Sequence, residues 1–149
     1  AELITKNQVK IYKIEENMNP HAIKTITDAR VTREGNVVHI YLAATRSHFT
    51  PDNVEGVKLG DTVYFHMTNL EQDWDIPHGF AVMGNQNSEM LVMPGETCSL
   101  KWFPERVGIY PMYCTDFCSA LHQEMQGYIR VSAKDSNVPI SYSLGKDKK

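Results

Sequence analysis

Between Tyr113 and Gln126 the chain places Cys114, Cys118, His122 and Met125 in the pattern Cys-x3-Cys-x3-His-x2-Met. Two thiolates, an imidazole and a thioether in one short segment make a soft donor set, and the thioether favours copper over zinc. The same four positions would also line one face of a helix, so a buried apolar stripe is the plain alternative. A generic stripe has little reason to choose Cys, Cys, His and Met between two strand-like runs, and metal ligation is the better reading. A His distant in sequence should complete the site. His78 is the candidate: it sits in Asp75-Ile76-Pro77-His78-Gly79-Phe80, where Pro and Gly punctuate a loop just before a strand. His21, His39, His48 and His66 read as structural or exposed histidines, His39 and His66 falling within strands.

These donors need a scaffold that brings position 78 to the segment 114–125. From Asn36 onward, short alternating runs are separated by turn residues about every 8–12 positions, the pattern of an all-β sandwich or barrel. Strands are predicted at Val37–Ala44, Asp61–Asn69, Gly79–Val82, Glu89–Val92, Glu96–Phe103, Gly108–Tyr113 and Gly127–Ser132. In the second of these Val63, Phe65 and Met67 share a face; in the fifth Cys98, Leu100 and Trp102 do, which makes Cys98 a core residue rather than a ligand. The segment Cys114–Met125 is then the long loop of a hairpin at one end of the sandwich. Residues 1–35 lack clean periodicity and read as a linker or wrapping arm, 36–133 as the sandwich domain, and 134–149 as a polar, poorly anchored tail.

Bulk properties narrow the function. An apolar fraction of 42% supports one core in 149 residues and excludes disorder of the whole chain. A net charge of −3 without a basic run excludes nucleic-acid binding. No run approaches the roughly 18–20 apolar residues of a membrane span, and the first ten residues lack a signal peptide's hydrophobic centre. A start at Ala1 fits a processed product or an excised fragment. Three cysteines, two of them beside a His and a Met, suit a metal site better than a disulfide framework.

The loop Cys114–Met125 resembles the CuA loop of cytochrome c oxidase subunit II and of nitrous-oxide reductase, which share this pattern and an upstream His. Ser119-Ala120-Leu121-His122-Gln123-Glu124-Met125 is similar to the reductases' Ala-Leu-His-x-Glu-Met, whereas oxidase subunits usually have Gly directly after the second Cys. Thr68-Asn69-Leu70 followed by His78-Gly79-Phe80 also resembles the reductase, and the likeness covers about residues 36–132. Asp116 and Ser119 depart from it, standing where better-known reductases have Trp and His; Asp116 is closer to the oxidase pattern.

The resemblance implies a cupredoxin-like Greek-key β-sandwich carrying a binuclear copper (CuA) centre. Cys114 and Cys118 would bridge two Cu ions; His78 and His122 would each bind one, with Met125 and the Asp116 carbonyl as weak ligands. It implies electron transfer from a cytochrome c or another small donor to the catalytic copper cluster of a β-propeller domain, homodimeric in the parent enzyme and absent from this chain. The isolated chain would transfer electrons only, hold no catalytic residue, and belong to a periplasmic protein. Trp74, Tyr113 and Phe117 lie close enough in sequence to form the surrounding shell or an electron path, while Phe80 reads as core. Glu71, Asp73 and Asp75 form an acidic stretch that either steers a basic partner or is simply solvated. The alternatives are the CuA domain of a haem-copper oxidase subunit II, or a domain that binds zinc or copper without redox function.

Overall fold

A computed structural model describes residues 2–5, 17–45, 48–71, 78–82, 89–113 and 126–144. The strands are β1 (Glu2–Thr5), β2 (Arg30–Glu34), β3 (Val37–Thr45), β4 (His48–Thr50), β5 (Asn53–Lys58), β6 (Thr62–Asn69), β7 (His78–Val82), β8 (Glu89–Val92), β9 (Thr97–Trp102), β10 (Gly108–Tyr113), β11 (Gln126–Ser132) and β12 (Ser141–Ser143). A single 3-10 turn at Ile26–Asp28 is the helical element among the described residues, and none of their helices is long and apolar enough to cross a membrane. All seven strands predicted from alternation are present, with bounds shifted by no more than one residue.

Two sheets face each other. The first runs β1-β9-β6-β3-β2 with β4 also on β3; the second runs β12-β5-β11-β10-β7-β8. Because the chain crosses repeatedly from sheet to sheet, β3 and β6 pair in parallel, as do β5 and β11. Alternation sets which side chains enter the space between them. Val63, Phe65 and Met67 do so from β6, and Cys98, Leu100 and Trp102 from β9, all buried in one cluster. The second sheet answers with Phe80, Met112 and Ile129. Phe80 meets Phe49 edge-on at 5.5 Å and Phe65 at 5.2 Å, while Trp102 meets Phe65 at 5.8 Å and Tyr110 edge-on at 5.1 Å. Such geometries add about 0.5–1.5 kcal/mol per pair beyond area burial, and the Phe49–Phe80, Phe65–Phe80 and Trp102–Tyr110 pairs tie sheet to sheet.

Within the stretch expected to wrap as an arm, Glu2–Thr5 pairs with β9 and Arg30–Glu34 with β3. Between them, residues 17–29 lie on the outer face of the first sheet. The Asn17 side-chain amide donates to the Gly95 carbonyl at 2.7 Å and to Thr97 Oγ1 at 3.0 Å, and the Ile23 N–H donates to Thr68 Oγ1 at 3.2 Å. Ile23, Ala29 and Ala43 form a second small core there.

The tail is polar as expected, but it is anchored: β12 pairs antiparallel with β5, and the Asp52 N–H donates to the Ser143 carbonyl. Gly56 permits this. Its φ is +98°, and a Cβ there would collide with the Pro139 carbonyl and the Ile140 backbone. The extra residue at Gly56 shifts the β5–β11 register between Ile129 and Val131, a bulge that bends the strand edge.

Candidate metal centre

His78 opens β7 on the strand face that carries Phe80 and Val82 inward, and it is fully buried. β7 pairs antiparallel with β10, Tyr113 opposite Ala81 and Met112 opposite Val82. The chain therefore leaves Tyr113 toward the end of the sandwich where His78 sits. β11 returns directly beside that exit, Gln126 opposite Tyr113. The two ends of the proposed ligand loop are thus adjacent, and the nearest neighbouring strand begins with the proposed remote ligand. Cys114, Asp116, Phe117, Cys118, His122, Met125 and Trp74 lie outside the described residues. Tyr113 is half-buried at the edge of this end.

His78 is hydrogen-bonded to a carboxylate. Its Nε2 is 2.9 Å from Glu71 Oε2, and the Glu71 side chain is 11% exposed. Glu71 is placed by Asn69, a fully buried residue at the end of β6. The Asn69 Oδ1 accepts the Glu71 N–H at 2.9 Å, and its Nδ2 donates to the Val92 carbonyl at 2.9 Å. Val92 is the β8 partner of His78 in register. The Asn69 backbone also receives Gly95 N–H and donates to the Glu96 carbonyl. Glu71 is therefore neither a solvated charge nor a surface steering group: it is committed to the imidazole of His78. Sequence reasoning missed this, although a polar Asn on the buried end of an alternating strand was a signal.

Beside the loop's return, Asp52, Asn53, Gln126, Gly127 and Tyr128 line an open polar cleft of about 300 Å³. Gly127 is without a side chain for a steric reason, since a Cβ would strike the Asp52 carbonyl. That carbonyl accepts the Tyr128 N–H at 3.0 Å.

A second histidine group lies on the outer face of the first sheet. His39 Nδ1 and His66 Nε2 are 2.8 Å apart, His66 Nδ1 and Ser99 Oγ 2.6 Å apart, and His21 from the covering segment stacks on His66 at 4.0 Å. Burial, followed by the charges of His21, His39 and Arg30, pushes the His66 pKa down to about 3. Both His66 nitrogens are engaged by protein groups, which fits the structural reading of His39 and His66. Among the described residues, no group of three His, Cys, Asp or Glu side chains is arranged to hold a metal ion.

The residues fit a copper centre at the sandwich end. A buried imidazole, oriented through one nitrogen by a carboxylate, is how metal-ligating histidines are usually held. In the sequence, Cys114, Cys118 and Met125 lie between Tyr113 at the end of β10, the strand beside β7, and Gln126 at the start of β11.

No family model matches the chain. It is 33% identical over 137 residues to the nitrous-oxide reductase of Stutzerimonas stutzeri, a match covering 85% of this chain and 21% of the reductase. It is 32% identical over 96 residues to cytochrome c oxidase subunit 2 of Thermus thermophilus, covering 64% of this chain and 67% of that subunit. The chain thus spans about a fifth of the nitrous-oxide reductases it matches. Among solved structures, a haem-copper terminal oxidase dimer superposes with a TM-score of 0.60 and 23% identity, covering 70% of this chain and 71% of that one.

Proposed function

Since the chain belongs to the family of cupredoxin domains that nitrous-oxide reductases share with cytochrome c oxidase subunit 2, we propose that it transfers electrons through a binuclear copper centre. In this reading Cys114 and Cys118 bridge the two ions, His78 and His122 each bind one, and Met125 and the Asp116 carbonyl are the weak ligands. The observation that carries it is the convergence of the Tyr113–Gln126 loop ends with His78 at one end of the sandwich.

When bound, such a centre exchanges one electron with charge spread over two metals and two sulfurs, which keeps the structural change on reduction small. The chain's own residues supply the rest. The β10–β11 pairing fixes where the loop starts and ends, Glu71 orients His78, and the packed core around Phe49, Phe65 and Phe80 gives the site a dry, rigid floor. We further propose that the electrons come from a cytochrome c or similar small donor. They pass to the catalytic copper cluster of a nitrous-oxide reductase, in a propeller domain of a homodimeric periplasmic parent. The electron-transfer domain of a haem-copper oxidase is the second reading, favoured by Asp116 and by the match to two thirds of the Thermus subunit.

Copper analysis with EPR of the oxidised chain tests the proposal. Two coppers per chain sharing one delocalised spin support it, and Cys114→Ser should abolish that spectrum. Zinc, or a mononuclear copper signal in the unsubstituted chain, would sink it.

A further inference from the structure

The outer face of the first sheet should meet solvent, yet its middle is buried. On β6, Val63, Phe65 and Met67 point into the core, so His66 and Thr68 point outward, as do Ser99 and Thr97 opposite them on β9. All four are nearly inaccessible, because residues 17–29 lie across them. Asn17 donates to the Gly95 carbonyl and to Thr97 Oγ1, Asn19 Nδ2 donates to the Thr97 carbonyl at 3.2 Å, and the Ile23 N–H donates to Thr68 Oγ1. Two turns shape the segment, the Asn19 N–H donating to Asn17 Oδ1 and the His21 N–H to Asn19 Oδ1, both at 2.8 Å. They precede the His21 ring, which lies flat on His66 with centroids 4.0 Å apart. We propose that residues 17–29 form a proton-released strap, which docks over neutral His66 and lifts when that imidazole takes up a proton.

What His66 meets in the docked state explains the release. Its Nδ1 is 2.6 Å from Ser99 Oγ and its Nε2 2.8 Å from His39 Nδ1, contacts that a neutral ring fills with one donor and one acceptor. Tyr41 of β3 lies 5.0 Å away and Tyr64 of β6 6.1 Å away, ring to ring, and the Lys101 ammonium of β9 is 5.9 Å from the Tyr64 ring. Arg30 of β2 sits over the Tyr41 ring at 3.9 Å, and the strap carries Lys24 and Asp28. Among the described residues, the charges that act on His66 are those of His21, His39 and Arg30, each of which opposes a proton there. Lifting the strap withdraws His21 and readmits water, so the exposed imidazole moves from a pKa of about 3 back toward about 6.5. A full return would raise the opened population about 25-fold between pH 7 and pH 5, and about tenfold is expected with His39 and Arg30 still beside the ring. The Gly95 N–H donates to the Asn69 carbonyl, so the strap is bonded to the turn that holds the end of β6. The device does not depend on the copper reading.

The test is hydrogen–deuterium exchange of the full chain at pH 7, 6 and 5, read by mass spectrometry and corrected for intrinsic amide rates. A peptide spanning residues 17–29 is compared with one spanning β6. The strap should exchange through an opening that leaves β6 protected, and that opening should rise about tenfold or more from pH 7 to pH 5. In His66→Gln, which keeps a polar side chain but cannot take up the proton, the rise should be largely lost. Asn17→Ala, which leaves every histidine in place, should open more at each pH and keep the rise. Strap and β6 losing protection together would show that the segment leaves only on unfolding, and would overturn the proposal. Opening that is flat with pH in the unsubstituted chain overturns it too, as does an equal rise in His66→Gln. If His66→Gln does not fold, Asn17→Ala decides: a retained rise supports the strap, and a pH-independent opening overturns it.

Discussion

Acidification between pH 7 and pH 5 should destabilise this protein through His66 on the outer face of the first sheet. His66 is 2% exposed and packs against imidazoles on two sides, His21 from the covering segment and His39 from β3, with Arg30 of β2 adding to their field. Its pKa is about 3 in the folded chain, against about 6.5 for an unperturbed imidazole. The folded value lies below the unfolded one, so across this interval the unfolded chain binds more protons. Stability is therefore full above about pH 6.5 and falls as pH drops toward 3. pH 5 lies about 1.5 units below the unfolded pKa, so the unfolded imidazole is almost wholly protonated there while the folded one is still neutral. At 1.36 kcal/mol per unit that is a loss of about 2 kcal/mol. The figure barely depends on the folded pKa so long as it stays below about 4, because the unfolded side sets it. The assay is urea unfolding of the reduced, metal-free chain at pH 7, 6 and 5, followed by tryptophan fluorescence, for the unsubstituted protein and His66→Gln. The variant should lose about 2 kcal/mol less over the interval. Equal pH slopes for the two proteins would refute the assignment to His66.

Two further perturbations address the segments whose anchoring sequence periodicity did not indicate. Asn17→Ala deletes bonds to Gly95 and Thr97 and leaves buried acceptors behind, for an expected loss of about 1–3 kcal/mol in urea unfolding; a loss near zero would mean the covering segment contributes little. Gly56→Ala forces a side chain into a φ of +98° and against Pro139 and Ile140. It should cost about 1–3 kcal/mol and release β12, visible as faster amide exchange at Ser141–Ser143; unaltered exchange there would show that the tail is held by other contacts.

The strands that were legible in the sequence are those with an apolar face between sheets. Val63, Phe65 and Met67, or Cys98, Leu100 and Trp102, alternate without interruption because one side of each strand is core and the other is not. The strands that escaped lack that asymmetry. β2 buries only Val31 of Arg30–Glu34, β12 buries none of its residues, and Gly56 breaks the alternation of β5 with a bulge. The ligand candidates stood out because their residue types and spacing are unusual in themselves. Glu71 did not, since a carboxylate beside Asp73 and Asp75 looks like a solvated charge until the fold turns it inward. Its role depends on Asn69 and Val92, and the β8 register that aligns Val92 with His78 is a pairing no local pattern encodes.

The two buried histidine environments show why position alone does not sort candidate ligands from structural groups. His66 has Ser99 on one nitrogen and His39 on the other, and its charged neighbours are cationic when protonated, so the fold keeps it neutral and occupied. His78 faces a carboxylate at Nε2, a partner that strengthens the ring as a donor through its other nitrogen. Both rings belong to strands of the sandwich, β6 and β7, and both are almost wholly buried. What separates them is the sign of the charge they meet. A His78 environment rebuilt with a cation, as in Glu71→Lys, should therefore lose copper more completely than Glu71→Ala, although both variants lack the acceptor. Equal copper affinity in the two would show that the hydrogen bond, and not the charge behind it, is what prepares His78.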